Sequence, residues 1–191
     1  MIGWIKNINK KNPEFWKKYV ATFEEKSSRY VVISLETTGL NPEKDFILSI
    51  AGISIVNDTI FINESFEIDI AKNNNHDGNS LVYTQMNDQT EAFELFLNYI
   101  ENAVLIGHRI YFDVEIINEA LDKIDCGRLK NEALDIEIMH KKLHDLNDDK
   151  SFSLKELISY YKIPESKVST ADEAFSIALL FLRLKTKLGI I

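Results

Sequence analysis

Tyr30-Val31-Val32-Ile33-Ser34-Leu35-Glu36-Thr37-Thr38-Gly39-Leu40 is the stretch on which the reading of this chain turns. An apolar, β-branched run ends in a carboxylate, two hydroxyls and a glycine. The run is too short and too branched for a helix, so it predicts a buried strand. Gly39 permits the sharp exit that a hydroxyl-rich turn needs. A strand of this kind carries Glu36 to the edge of a sheet with Thr37 and Thr38 beside it. That is one way to present a metal ligand from a rigid element; an ordinary strand followed by a turn is the other reading of the same residues.

Two later stretches extend the pattern. Gly107-His108-Arg109-Ile110-Tyr111-Phe112-Asp113 follows the apolar run Ala103–Ile106, and Ala171-Asp172-Glu173-Ala174-Phe175 opens a long apolar helix. Together with the first stretch they resemble the three motifs of the DEDD-type 3′–5′ exonucleases, specifically the branch that uses a histidine. Polymerase III proofreading subunits, ribonuclease T and oligoribonuclease belong to this superfamily. The resemblance runs from Tyr30 to Leu188. It implies an α/β, ribonuclease H-like fold and metal-dependent cleavage of phosphodiesters from the 3′ end of single-stranded DNA or RNA.

Composition sets independent bounds. A chain of 191 residues is long enough for one domain with a real core. Residues 30–191 are expected to form it, with 1–29 as a helical extension packed against it. The single cysteine, Cys126, forbids an internal disulfide and fits a reducing compartment. No apolar stretch reaches the length of a membrane span. Met1–Ile5 is apolar but is followed by Lys6, Lys10 and Lys11, the wrong order for a signal peptide, so a cytoplasmic location without membrane contact is expected. The net charge of −8 argues against broad binding along a nucleic-acid backbone. A nuclease that grips only a strand end escapes that argument, since bound cations supply local positive charge.

Along the chain, Asn12-Pro13 is a helix-start signal, and Phe15, Trp16, Tyr19 and Phe23 follow at near-helical spacing. That aromatic stripe reads as core, with docking of a protein partner as its alternative use. Tyr30–Leu35, Phe46–Val56 and Thr59–Ile70 predict a three-stranded antiparallel meander, with Asn57-Asp58 as the tight turn between the last two. Ala71–Ser80 reads as a loop. Helix over Thr90–Asn102, strand over Ala103–Gly107, helix over Phe112–Ile124 ended by Cys126-Gly127, strand over Ala133–Ile136 and helix over Glu137–His144 come next. A capping box at Ser153–Glu156 opens a helix to Tyr161, and Thr170–Leu188 is the last helix. This order predicts a mixed central sheet, meander plus parallel strands, flanked by helices.

The family cleaves with two divalent cations, Mg2+ or Mn2+, held by four carboxylates. Paired metals stabilise the attacking and leaving oxygens together, and a hard cation favours oxygen ligands. In the first motif the family has Asp-x-Glu where this chain has Ser34-Leu35-Glu36. Positions two apart on a strand share a face, so Ser34 stands where a metal-bridging carboxylate is expected and supplies no charge. Thr37, Thr38 and Leu40 match family residues that touch the terminal nucleotide. Asp113 matches the second-motif carboxylate, His108 a structural histidine and Asp135 a supporting aspartate. In the third motif, aligning Ala174 puts Glu173 at the carboxylate and Val168 at the general-base histidine. Sliding by one puts Asp172 and Lys167 there instead. Thr170–Glu173 also reads as a capping box, so Glu173 is either a cap, a ligand or both.

The resemblance therefore implies metal ligands at Glu36, Asp113 and Glu173 or Asp172, with no general base and with zero or one metal expected. His76, His140 and His144 are further histidines. The last two, four apart on a helix, read as a surface face or as a metal pair. With these substitutions the resemblance implies one of two functions: a weakened 3′–5′ exonuclease, or an inactive relative kept to bind nucleic-acid ends or a protein partner.

Overall fold

A computed structural model describes residues 12–70, 89–164 and 169–190. The expected loop over 71–80 and positions 76, 167 and 168 lie outside these residues. Helix α1 (Glu14–Ala21) leads through a short 3-10 turn to strand β1 (Tyr30–Thr37). Strands β2 (Ile47–Val56) and β3 (Thr59–Asp69), helix α2 (Gln89–Ile100), strand β4 (Val104–Gly107) and helix α3 (Ile110–Lys123) follow. Strand β5 (Ala133–Asp135) and helices α4 (Ile136–Leu143), α5 (Leu154–Tyr161) and α6 (Thr170–Leu188) complete the order. The sheet order is β3-β2-β1-β4-β5. Strands β1, β2 and β3 pair antiparallel, while β4 pairs parallel to β1 and β5 parallel to β4. The mixed sheet and meander expected from the sequence are present.

The β-branched run explains why β1 is central. Val31, Val32 and Ile33 have no solvent exposure, and full burial of such side chains is worth about 1.5–3 kcal/mol each. Alternation splits them between two cores. Val31 and Ile33 join one core with α1, α2 and α3. Val32 joins the other, with α4, α5 and α6. Phe15, Trp16 and Tyr19 of α1 are buried in the first core, so the aromatic stripe packs inward. Between β2 and β3, Asn57 and Asp58 both adopt positive φ, the geometry of a two-residue hairpin turn.

Most element boundaries shift by one or two residues from the sequence reading, and three of the differences have a visible cause. Strand β1 continues to Thr37 because Glu36 and Thr37 still pair with β2, across a bulge between them. Helix α3 begins at Ile110, two residues early, because the Asp135 carboxylate accepts the Ile110 N–H at 3.0 Å. The end of α3 is made by Asp125, at φ 60°, with the Cys126 N–H reaching back to the Leu121 carbonyl. Gly127 serves packing instead. A Cβ there would stand 2.8 Å from Trp16 Cζ2, so the residue is small to admit the indole.

Candidate active site

The carboxylates come from different elements at one end of the sheet. Ser34 and Glu36 share the face of β1 that looks toward α6. Across the ladder Ser34 pairs with Ala51 and Glu36 with Ser49, and directly opposed residues point the same way. Both serines then bond the first turn of α6. Ser34 is 3 % exposed, and its hydroxyl donates to Glu173 Oε1 at 3.0 Å. Ser49 Oγ lies 2.8 Å from Thr170 Oγ1. The sheet therefore fixes where α6 starts, and Glu36 sits on the same side, exposed.

The capping-box reading of Thr170–Glu173 does not hold. The N-cap of α6 is Ser169, whose hydroxyl accepts the Asp172 N–H. A cap at 169 makes residue 172, not 173, the reciprocal position of a box. Glu173 is one step further round the helix and turns to the sheet.

Asp113 lies in the first turn of α3, partly buried. Burial, then the neighbouring Glu173 and Asp135 carboxylates, push its carboxyl well above the usual carboxylate range. Those last two causes put Glu173 and Asp135 each within electrostatic reach of Asp113. Asp135 has a structural task. One oxygen accepts the N–H groups of Glu137 and Ile138 at the start of α4, and the other accepts Ile110 N–H. It thereby caps α4 and pins α3, whose own N-cap Arg109 has φ 58° and makes no side-chain cap. His108 donates through Nε2 to the Phe152 carbonyl at 2.8 Å.

The turn after β1 is held by a residue the sequence reading passed over. Asp45 accepts the Thr38 hydroxyl at 2.9 Å and the Asn41 N–H at 2.8 Å. A Cβ on Gly39 would stand 2.6 Å from the same carboxylate. Asn41-Pro42 four residues upstream of Asp45 is the turn signal that could have pointed to it. Thr37 donates to the Gly39 carbonyl. Leu40 is thus projected into solvent, 83 % exposed, over a groove of about 370 Å³ bounded by Asn41–Glu43, Glu115 and Glu119.

The donor chemistry does not make a cradle for two hard cations. Ser34 is neutral and supplies no charge, one oxygen of Glu173 accepts its hydroxyl, and burial with the Glu173 and Asp135 carboxylates raises the Asp113 carboxyl. Among the described residues no three carboxylate, imidazole or thiol groups are arranged to hold a metal ion.

Residues 31–172 match the family model RNase_T, described as exonuclease. The sequence is 24% identical over 144 residues to DNA polymerase III PolC-type of Lacticaseibacillus paracasei, covering 72% of this chain and 10% of that protein. It is 31% identical over 118 residues to DNA polymerase III subunit epsilon of Buchnera aphidicola, covering 55% of this chain and 48% of that one. The chain thus spans about a tenth of the PolC-type relative and about half of the epsilon subunit. Among solved structures, a product-bound exonuclease I aligns with a TM-score of 0.67 at 14% identity, over 86% of this chain and 45% of that one. Escherichia coli exonuclease I in complex with a dT13 oligonucleotide aligns with a TM-score of 0.62 at 14% identity, over 85% and 42%. These likenesses extend the agreement in fold.

Proposed function

The chain belongs to the exonuclease family, and on that premise we propose that it acts at the 3′ end of single-stranded DNA or RNA as a 3′–5′ exonuclease with strongly weakened hydrolysis. The observation that carries the weakening is the hydrogen bond from Ser34 to Glu173. It puts a neutral hydroxyl where the family has a bridging carboxylate and occupies an oxygen of the third-motif acid. Glu36, Asp113 and Glu173 are the residues through which Mg2+ or Mn2+ would be recruited, with Asp172 as the neighbouring acid. Their chemistry fits a two-metal site poorly, so no hydrolytic step is derived through one. Thr37, Thr38 and the exposed Leu40 are the proposed contacts to the terminal nucleotide. Among the described residues no helix is long and apolar enough to cross a membrane, and the chain's single cysteine, Cys126, is buried and fits the proposed cytoplasmic setting.

The same Ser34–Glu173 hydrogen bond supports a second reading, in which the domain binds strand ends or a protein partner without cutting. One experiment separates the two. End-labelled single strands are incubated with purified protein and Mn2+, and both binding and nucleotide release are followed. Release about a thousandfold below that of an intact relative, lost in Glu36→Ala, supports the weakened enzyme, since a general base alone contributes about 10²–10⁴ in rate. Binding without release that Glu36→Ala can abolish supports the second reading. Ordinary turnover overturns both.

A further inference from the structure

Away from the carboxylates, α4 and α5 bring a different set of ligand-type groups together. His140 and His144 lie four apart on α4 and its C-terminal cap, with ring centroids 4.7 Å apart. Both rings point at one atom. His140 Nδ1 is 2.8 Å and His144 Nε2 is 3.2 Å from the hydroxyl oxygen of Tyr161, at the end of α5. A phenol has one proton, so it can donate to only one of the two imidazoles, and the other must donate to it. His140 and Tyr161 are buried while His144 is exposed. A groove of about 450 Å³, lined by both histidines, Lys150, Phe152, Glu156 and Tyr160, gives access from solvent.

We propose that His140 Nδ1, His144 Nε2 and the Tyr161 hydroxyl form an open binding site for one borderline transition-metal cation of the Zn2+, Ni2+ or Cu2+ class. The site is independent of the carboxylate end of the sheet and does not rest on the function proposed above. Ligand atoms about 2.0–2.1 Å from a tetrahedral ion stand roughly 3.3 Å apart, against the 2.8 and 3.2 Å that separate the two imidazole nitrogens from the Tyr161 oxygen; since both rings aim at that oxygen, entry of the ion requires the phenol to move aside. Imidazole nitrogen selects this class of ion over Mg2+. Neutral imidazole is the ligating form. The Tyr161 phenol is protonated until a cation displaces its proton. On metal entry the donating imidazole shifts its proton to its other ring nitrogen. If the phenol binds as phenolate, one proton leaves to solvent. The fourth position faces the groove and takes water or an external ligand.

The test is a titration of the chelator-treated full chain with ZnCl2 under excess MgCl2, followed by calorimetry in buffers of different ionisation enthalpy. Binding of one equivalent, undiminished by Mg2+, is expected. His144→Ala removes an exposed side chain, so folding is retained, checked by circular dichroism. It should weaken binding by about tenfold or more. Tyr161→Phe should weaken it less and abolish any proton release. Co2+ added as a second probe should give visible absorption bands in the parent that are lost in His144→Ala. No binding, displacement by Mg2+, or unchanged affinity in His144→Ala overturns the proposal.

Discussion

At Ser34 a hydroxyl satisfies the Glu173 carboxylate inside the protein; under the proposed function, the family's carboxylate at that place would require a cation between the two acids. Ser34→Asp therefore replaces a buried hydrogen bond with a like-charge contact. Without added metal it should lower stability by about 2 kcal/mol or more. Mn2+ should restore part of the loss, while the parent's melting temperature should barely respond to the ion. Thermal unfolding of both proteins with and without Mn2+ reads this directly; equal responses would mean that Ser34 and Glu173 are not partners. Asp113 gives a pH test. Its carboxyl is raised in the folded protein, so its ionisation opposes folding. The stability it contributes is complete below about pH 4, the ordinary carboxylate value, and is lost as the pH climbs through the raised value. Asp113→Asn cannot ionise. Its melting temperature relative to the parent should rise across that window and then level off. A difference that does not change with pH would show that Asp113 ionises as an ordinary carboxylate.

Among the elements, α3 and α4 share one clamp. Asp135 accepts N–H groups from both helix starts, and α3 has no side-chain cap of its own. Asp135→Ala leaves buried donors unpaired, at about 1–3 kcal/mol each. Beyond the loss of stability, it should free the first turn of α3, and with it Asp113. Hydrogen exchange should speed at Ile110 more than at Ile117, deeper in the helix; uniform acceleration would indicate global destabilisation only. The clamp also marks what the sequence could and could not convey. Periodicity located α5 and α6 to the residue, because apolar spacing and caps are local signals. The early start of α3 was not legible, since its cause lies 25 residues downstream in Asp135. The cap of α6 was misassigned because Ser169 and Thr170 are both good cap residues. Only the sheet contacts of Thr170 and Glu173 separate them.

For the molecule as a whole, topology was legible because β1 is hydrophobic on both faces and must be central, with helices on either side. The motifs led to Asp113 and Glu173, whose carboxylates interact, whereas the hydrogen bond that Glu173 accepts depended on a contact between β1 and α6, 139 residues apart in sequence. That distinction leads to a test of whether the scaffold is still that of a working enzyme. If the loss is local, restoring the missing groups on an unchanged fold should restore cleavage. Ser34→Asp returns a bridging acid, Glu173→Asp shortens the acid that meets it by one methylene, and Val168→His returns a base. Ser34→Asp alone should raise Mn2+ affinity with little rate, because water still lacks a proton acceptor. Val168→His alone should change little, because no cation pair orients the water. The triple variant should exceed the product of the separate rate effects, as groups that act as one unit are non-additive. Manganese-dependent nucleotide release from a labelled single strand, with calorimetry for the metal, measures both parts. A folded triple variant that binds two cations yet stays inert would place the defect in the scaffold around the site. One that binds no more metal than the parent would refute the assignment of Ser34 or Glu173.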